Sequence, residues 1–204
     1  MNTSTRRDRL RAEQRALAEQ QRRQQRIRRI LGLGSLLIVV AAVAAMLATS
    51  QNVSKTDAHV APVFTLATTA GNSVGLAEYR GRNVLLYFNE GAGCDSCLMQ
   101  MTEIEKQKAA FDAANITVLP IVMNTKAQIL PEMARFGVTS PFLLDNGTVS
   151  QAYGTLGKGM HAGLPGHSFV LIDTNGVQRW YGEYPSMWLA PAELLKEATS
   201  RLAA

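Results

Sequence analysis

Asn83-Val84-Leu85-Leu86-Tyr87-Phe88-Asn89-Glu90-Gly91-Ala92-Gly93-Cys94-Asp95-Ser96-Cys97 passes from an apolar run through a glycine-rich turn into two cysteines. Asn83–Phe88 has the length of a strand and is apolar at nearly every position, so it reads as a central strand buried on both faces. Gly91 and Gly93 end it just before Cys94. From Asp95 to Ala114 the pattern becomes helical: Leu98, Met101, Ile104 and Phe111 share a face, with Glu103, Lys106 and Lys108 elsewhere and Glu105 near the edge. Cys94 therefore falls at a helix N-terminus, where unpaired amides and the positive end of the helix favour its thiolate over its thiol. Cys97 follows almost one turn later, within reach of an adduct formed on Cys94.

These are the only two cysteines in the 204 residues. They are too few for a disulfide-stapled scaffold, and a bridge across a two-residue gap constrains the unfolded chain little. Structural zinc commonly takes four ligands, and only His59, His161 and His167 accompany the two sulfurs. Thiol–disulfide exchange is the chemistry that this spacing favours. A metal or copper site formed by Cys94, Cys97 and His167 is a weaker alternative, and an inactive or structural pair is another. His167 precedes a strand that can approach the cysteine helix; it shapes the pocket or steadies a thiolate, or else it is an ordinary polar loop histidine. Glu90 relays protons near the sulfurs, or is a solvated loop carboxylate.

Outward from this centre, Ala61–Leu66 reads as a short strand, Gly71-Asn72 as a turn and Val74–Leu76 as a second short element. Ile116–Met123 is the next strand. Gln128–Phe136 is a short helix stopped by Gly137, with Pro131 in its first turn. Phe142–Leu144, a turn at Asp145-Asn146-Gly147 and an element from Val149 to Tyr153 follow. Ser168–Asp173 and Val177–Tyr181 flank Thr174-Asn175-Gly176 as a hairpin, and Pro191–Leu202 is a terminal helix. Trp180, Tyr181, Tyr184 and Trp188 read as packing around this last part, with an exposed member available to a protein substrate. Alternating strands and helices followed by a hairpin give one α/β domain, a mixed central sheet flanked by helices.

The N-terminal part is different. Residues 1–30 hold ten arginines and three acids, so the net charge of +5 belongs to this arm and the body is slightly acidic. A body without a basic footprint argues against a nucleic-acid partner. Ile30–Thr49 is twenty residues without a charge, about 30 Å as a helix, which is the depth of a bilayer core. The division is thus a basic arm at 1–29, a single transmembrane helix at 30–49, a linker at 50–60 and the α/β domain at 61–204. Arginines before the span and few basic residues after it place the N-terminus in the cytoplasm and the cysteines outside. The arm is expected to hold anionic headgroups of the lipid bilayer.

With these residues in place, the chain resembles the thioredoxin-like superfamily, particularly its redoxin and AhpC/TSA-type branch, from about Ala61 to the terminal helix. The resemblance rests on Ala61-Pro62-Val63-Phe64-Thr65-Leu66, Leu76 and Arg80-Gly81 before Val84–Phe88, the Cys94-Asp95-Ser96-Cys97 motif, and Phe169–Asp173 before Gly176. It implies a thioredoxin-like fold, with Cys94 as the attacking and Cys97 as the resolving cysteine. Two departures limit it. Gly93 stands where thioredoxins carry tryptophan. His167 takes the place of their cis-proline if the last strand is aligned through Asp173, whereas a two-residue shift makes Pro165 the equivalent. Peroxiredoxins carry a proline and a hydroxyl residue that Tyr87 and Gly91 replace here, and His167 falls near their distant arginine.

The sequence accordingly points to an extracytoplasmic, membrane-anchored thiol–disulfide oxidoreductase that needs no bound cofactor. Its partners are the thiols or disulfides of exported proteins, or a membrane redox partner. A peroxiredoxin-like thiol peroxidase ranks second. A copper-handling or redox-inactive partner-binding module ranks third.

Overall fold

The computed structural model describes residues 23–26, 28, 31–45, 51–56, 58–157 and 162–203. Most of the arginine-rich arm, the end of the apolar span and His161 lie outside them. Contacts divide the chain into Met1–Ser50 and Gln51–Ala204. Among the described residues of the first unit, helix α1 (Arg23–Ala45) is long and apolar enough to cross a membrane by length and composition. Leu31, Leu37 and Ile38 on it are exposed.

The second unit is organised around the quoted strand. Its strands are β1 (Val53–Lys55), β2 (His59–Val60), β3 (Thr65–Thr68), β4 (Ser73–Gly75), β5 (Asn83–Phe88), β6 (Ile116–Val122), β7 (Leu143–Leu144), β8 (Ser168–Ile172) and β9 (Val177–Glu183). They form one sheet in the order β1-β9-β8-β5-β6-β7-β3-β4, with β2 also on β9. The central strand β5 runs parallel to β6, in register from Asn83↔Ile116 to Phe88↔Ile121, and antiparallel to β8, from Val84↔Ile172 to Phe88↔Ser168. The helices are α2 (Asp95–Lys106), α3 (Lys108–Ala113), α4 (Lys126–Phe136), α5 (Thr148–Ala152) and α6 (Pro191–Leu202). α2 and α3 make the crossover that a parallel β5–β6 pair requires.

Strand β5 is apolar throughout because both of its faces are covered. Leu85 and Tyr87 join Cys97, Leu98, Met101, Phe169, Trp180 and Leu194 in one core. Val84, Leu86 and Phe88 join Leu76, Val149, Tyr153, Val170 and Ile172 in the other. Each fully buried side chain of this size contributes roughly 2 kcal/mol of transfer free energy. The double core holds the carboxyl end of β5, and hence the start of α2, in a fixed place.

Several elements differ from their expected bounds. The helix expected over Asp95–Ala114 is two helices, because Gln107 leaves helical geometry at ψ 13° and its amide closes on Ile104. α4 starts earlier than Gln128: Thr125 caps it by accepting the Gln128 amide, while Gln128 Oε1 accepts the Thr125 amide at 2.8 Å. Pro131 therefore lies in the second turn rather than the first, and the Ala127 carbonyl lacks its helical donor. Residues 50–60, read as a linker, contribute β1 and β2 to the sheet through Val53↔Glu183 and His59↔Gln178. The strand expected at Ala61–Leu66 begins only at Thr65.

Candidate active site

Cys94 is the N-cap residue of α2, and its Sγ accepts the Cys97 amide hydrogen at 3.2 Å. The preceding loop is fixed by two asparagines. The Gly91 amide donates to Asn89 Oδ1 at 3.0 Å and the Ala92 amide to Asn124 Oδ1 at 2.9 Å. Gly91 and Gly93 have φ of 68° and 95°, a left-handed backbone that glycine adopts without a steric penalty. The chain can thus leave β5 and enter α2 with Cys94 at the junction. Cys94 and Cys97 are joined as a disulfide with Cα atoms 5.3 Å apart. Cys94 is 9% exposed and Cys97 is completely covered, so an incoming group reaches Cys94 first.

His167 lies beneath the pair at the start of β8. Its Nδ1 is 3.8 Å from Cys97 Sγ and 3.2 Å from the Tyr87 hydroxyl. The hydroxyl is also 3.2 Å from the Cys97 carbonyl oxygen, so its one hydrogen can go either to that oxygen or to the ring nitrogen. Tyr87 stacks on Phe169 with centroids 4.7 Å apart, and Phe169 meets the His167 ring edge-on. Burial draws the His167 pKa down to about 4, so the imidazole is neutral at neutral pH. Burial likewise pushes the Tyr87 phenol well above its usual range and keeps it protonated.

An open groove of about 430 Å³ runs past Cys94, lined by Glu90, Gly93, Asp95, His167, Glu183 and Met187 among others. Glu90, Gly93 and His167, singled out in the sequence, thus meet at one site with the sulfurs. Pro165 is buried nearby, bridges Leu156 and is trans, since the described residues contain no cis peptide bond. His167, rather than Pro165, therefore directly precedes the strand that faces the cysteines. Arg135 of α4 reaches Asp95 and also pairs with Glu132 at 2.6 Å, which offsets the carboxylate beside Cys94. Among the described residues no group of three or more His, Cys, Asp or Glu side chains is arranged to hold a metal.

Tyr87, Asn89, Asn124 and Arg135 are site residues that local sequence reasoning passed over. A hydroxyl in an otherwise apolar central strand was the signal for Tyr87. Asn124 and Arg135 follow β6 and reach the site only because β6 pairs with β5 and α4 packs against α2, so they carry no local mark. Of the late aromatics, Trp180, Tyr181 and Tyr184 are buried, whereas Trp188 is 40% exposed.

A thioredoxin-like sheet with a two-cysteine centre at a helix N-terminus defines a thiol-redox fold. The AhpC/TSA family profile matches residues 58–181, and the chain belongs to that family. A protein of Mycobacterium tuberculosis named as a peroxiredoxin is 33% identical over 104 residues, which cover 50% of this chain and 66% of that relative, just under two thirds of its length. The thiol-disulfide oxidoreductase ResA of Geobacillus kaustophilus is 29% identical over 160 residues, covering 76% of this chain and 86% of ResA. Among solved structures, the reduced 2-Cys peroxiredoxin of Plasmodium vivax superposes with a TM-score of 0.64 at 21% identity, covering 73% of this chain and 98% of that one; this likeness concerns the fold alone.

Proposed function

We propose that the chain is a thiol–disulfide oxidoreductase whose Cys94–Cys97 pair exchanges disulfides with protein partners. The observation that carries this reading is one reachable sulfur at a helix N-terminus above one sealed sulfur, beside an open groove of about 430 Å³. In the reducing direction the Cys94 thiolate attacks a partner disulfide. The partner S–S bond breaks, a Cys94–partner disulfide forms and one partner thiolate leaves. Cys97, having lost its proton, attacks Cys94 Sγ and the second partner thiolate departs. The pair loses two electrons and the partner gains them; the reverse sequence oxidises a partner dithiol.

A second reading takes hydroperoxide as the oxidant, and the relatives support it better than protein exchange. The 33% identical mycobacterial relative is named as a peroxiredoxin. Here the Cys94 thiolate attacks the O–O bond, an alcohol or water leaves, and the sulfenic acid condenses with the Cys97 thiol to release water. Against it stands the loop: Tyr87 and Gly91 occupy the places of the peroxiredoxin proline and hydroxyl residue.

The setting proposed is a membrane, with α1 as a single span, the arginine-rich arm in the cytoplasm and the redox domain outside. The excess of arginine before the apolar run supports this orientation. Partners are then exported proteins or a membrane electron-transfer protein.

Stopped-flow mixing of the reduced full chain with hydrogen peroxide, and separately with a disulfide-bonded protein such as insulin, tests the two readings. Faster thiol loss with the protein disulfide, abolished by Cys94→Ser, supports exchange. Faster Cys94-dependent loss with peroxide transfers the assignment to the second reading. No thiol loss with either, in a folded chain, refutes both.

A further inference from the structure

The resolving step poses a problem that the attacking step does not. Cys94 has the helix N-terminus and the Cys97 amide to favour its thiolate. Cys97 is sealed from solvent, and burial in apolar surroundings favours its thiol. Before it can attack Cys94 its proton must go somewhere, and water does not reach it. The second partner thiolate, which leaves into the groove, must in turn receive a proton to leave as a thiol.

We infer that His167, held in place by Tyr87, is the base that takes the proton from Cys97 in the resolving step and passes it to the departing thiolate. The geometry has four parts. His167 Nδ1 is 3.8 Å from Cys97 Sγ, within sulfur hydrogen-bond range. The Tyr87 hydroxyl, 3.2 Å from the same nitrogen and 3.2 Å from the Cys97 carbonyl, ties the ring to the residue it serves. The His167 ring is packed edge-on against Tyr87 and Phe169, with centroids 5.0 Å and 5.6 Å away, so its orientation is set before the reaction. It also lines the groove into which the leaving thiolate moves.

A purely structural role accounts poorly for this histidine. Its Nε2 is buried without a hydrogen-bond partner among the described residues, a cost that an apolar side chain in the same place would not carry. Burial draws its pKa down to about 4 and so keeps the ring neutral at neutral pH; the thiolate formed 3.8 Å away offsets the same desolvation by pairing with the imidazolium as the proton moves.

The Tyr87 hydroxyl turns its hydrogen from Nδ1 to the Cys97 carbonyl oxygen, Cys97 gives its proton to the freed Nδ1, and its sulfur attacks Cys94 Sγ. The Cys94–partner S–S bond breaks, the Cys94–Cys97 bond forms, and the partner sulfur leaves with the electron pair of the broken bond. The imidazolium then yields one proton to that thiolate and returns to neutral. Oxidant and reductant are the partner and the cysteine pair themselves. The inference rests on the two-cysteine redox reading; with a peroxide as oxidant the same proton goes instead to the hydroxyl group of the Cys94 sulfenic acid, which leaves as water.

A chromogenic aromatic disulfide separates the two steps, because attack by Cys94 releases one coloured thiolate and resolution by Cys97 releases the second. This thiolate is too weak a base to keep a proton at the pH used, so the imidazolium gives its proton to solvent in the groove and the assay reads the uptake of the Cys97 proton. The reduced full chain is mixed with it by stopped flow between pH 6 and 8. The wild-type second phase is expected to vary little with pH and to show a normal solvent deuterium isotope effect. In His167→Gln the second phase should slow at least about tenfold at pH 6 and then climb about tenfold per pH unit, following the Cys97 thiolate fraction.

Tyr87 and Cys97 touch the ring, the Tyr184 amide donates to the His167 carbonyl, and Glu90, Cys94, Asp95 and Glu183 line the same groove. They are common to both proteins, so the difference between the profiles isolates His167. A His167→Gln second phase with the wild-type rate and pH profile overturns the inference. Should that variant fail to fold, a wild-type second phase that climbs tenfold per unit without an isotope effect overturns it equally. Absence of the first phase in folded wild type defeats the redox reading itself, and the inference with it.

Discussion

Gly91 and Asn124 are packed so closely that a β-carbon on residue 91 would collide with the Asn124 side-chain oxygen, and it would meet Val122 Cγ1 at 2.9 Å. Asn124 is not free to yield, because the same oxygen holds the Ala92 amide at 2.9 Å and thereby sets the loop before Cys94. Residue 91 also has φ of 68°. The position at which peroxiredoxins carry a hydroxyl residue is therefore closed to any side chain here.

Restoring that residue as Gly91→Thr should destabilise the fold without creating a peroxidase. The left-handed backbone costs a branched residue about 1–2 kcal/mol, and overpacking adds about 1–3 kcal/mol. A urea-unfolding midpoint lowered by an amount corresponding to at least about 2 kcal/mol, with no gain in the rate of peroxide reduction, is the expected result. A stable variant with faster peroxide turnover would show that the loop is more adaptable than its packing indicates.

Cys97→Ser removes the resolving sulfur and leaves the attacking one. Treated with a small disulfide, this variant should accumulate one mixed disulfide on Cys94, visible as a single adduct in the intact mass. Cys94→Ser should gain almost none, because Cys97 is sealed. Equal labelling of both variants would overturn the assignment of roles.

Legibility in the sequence followed the reach of the forces involved. β5 and α6 fall on their expected residues, since a strand covered on both faces and a proline-started amphipathic helix each leave a local pattern. The Asp173–Val177 turn was equally readable: Asp173 Oδ1 accepts the Asn175 and Val177 amides, both at 2.9 Å, within a few residues. β1 and β2 are three and two residues long and mostly exposed, so no periodicity could mark them. They exist because β9 offers an edge more than a hundred residues away. The cysteine pair announced itself by spacing, whereas the contact of Tyr87 with His167 spans 80 positions and is created by the pairing of β5 with β8.

Burial of His167 has a pH signature in stability. Its pKa is about 4 in the fold against an ordinary value of 6.5, so between these values the unfolded chain binds a proton that the folded chain refuses. Stability from this group is full above pH 6.5 and falls as the pH drops toward 4, by at most about 3.5 kcal/mol at about 1.4 kcal/mol per unit. His167→Gln cannot take up that proton and should lose less stability between pH 7 and 4.5 than wild type does. Parallel urea titrations of the two proteins at both pH values check the sign; equal losses would mean that the histidine is not buried in its neutral form.

Trp180 binds the N-terminal strand into the domain, and this places the functional boundary before residue 61. The indole is completely buried, and its Nε1 donates to Ser54 Oγ at 2.9 Å. Val53, Ser54 and Lys55 pair with Glu183, Gly182 and Tyr181 along the edge of β9. Ser54→Ala leaves the indole N–H without this acceptor and should cost about 1–2 kcal/mol. A chain begun at Ala61 loses that bond together with all the pairing of β1 and β2, and it exposes a sheet edge prone to association. It should therefore unfold at lower urea and self-associate more than a chain begun at Gln51, as read by denaturation and light scattering. Since Gly182 and Glu183 also pair with Phe169 and Ser168 beside His167, the shorter chain should resolve mixed disulfides more slowly as well. Identical stability and kinetics for the two chains would return residues 50–60 to the role of a linker.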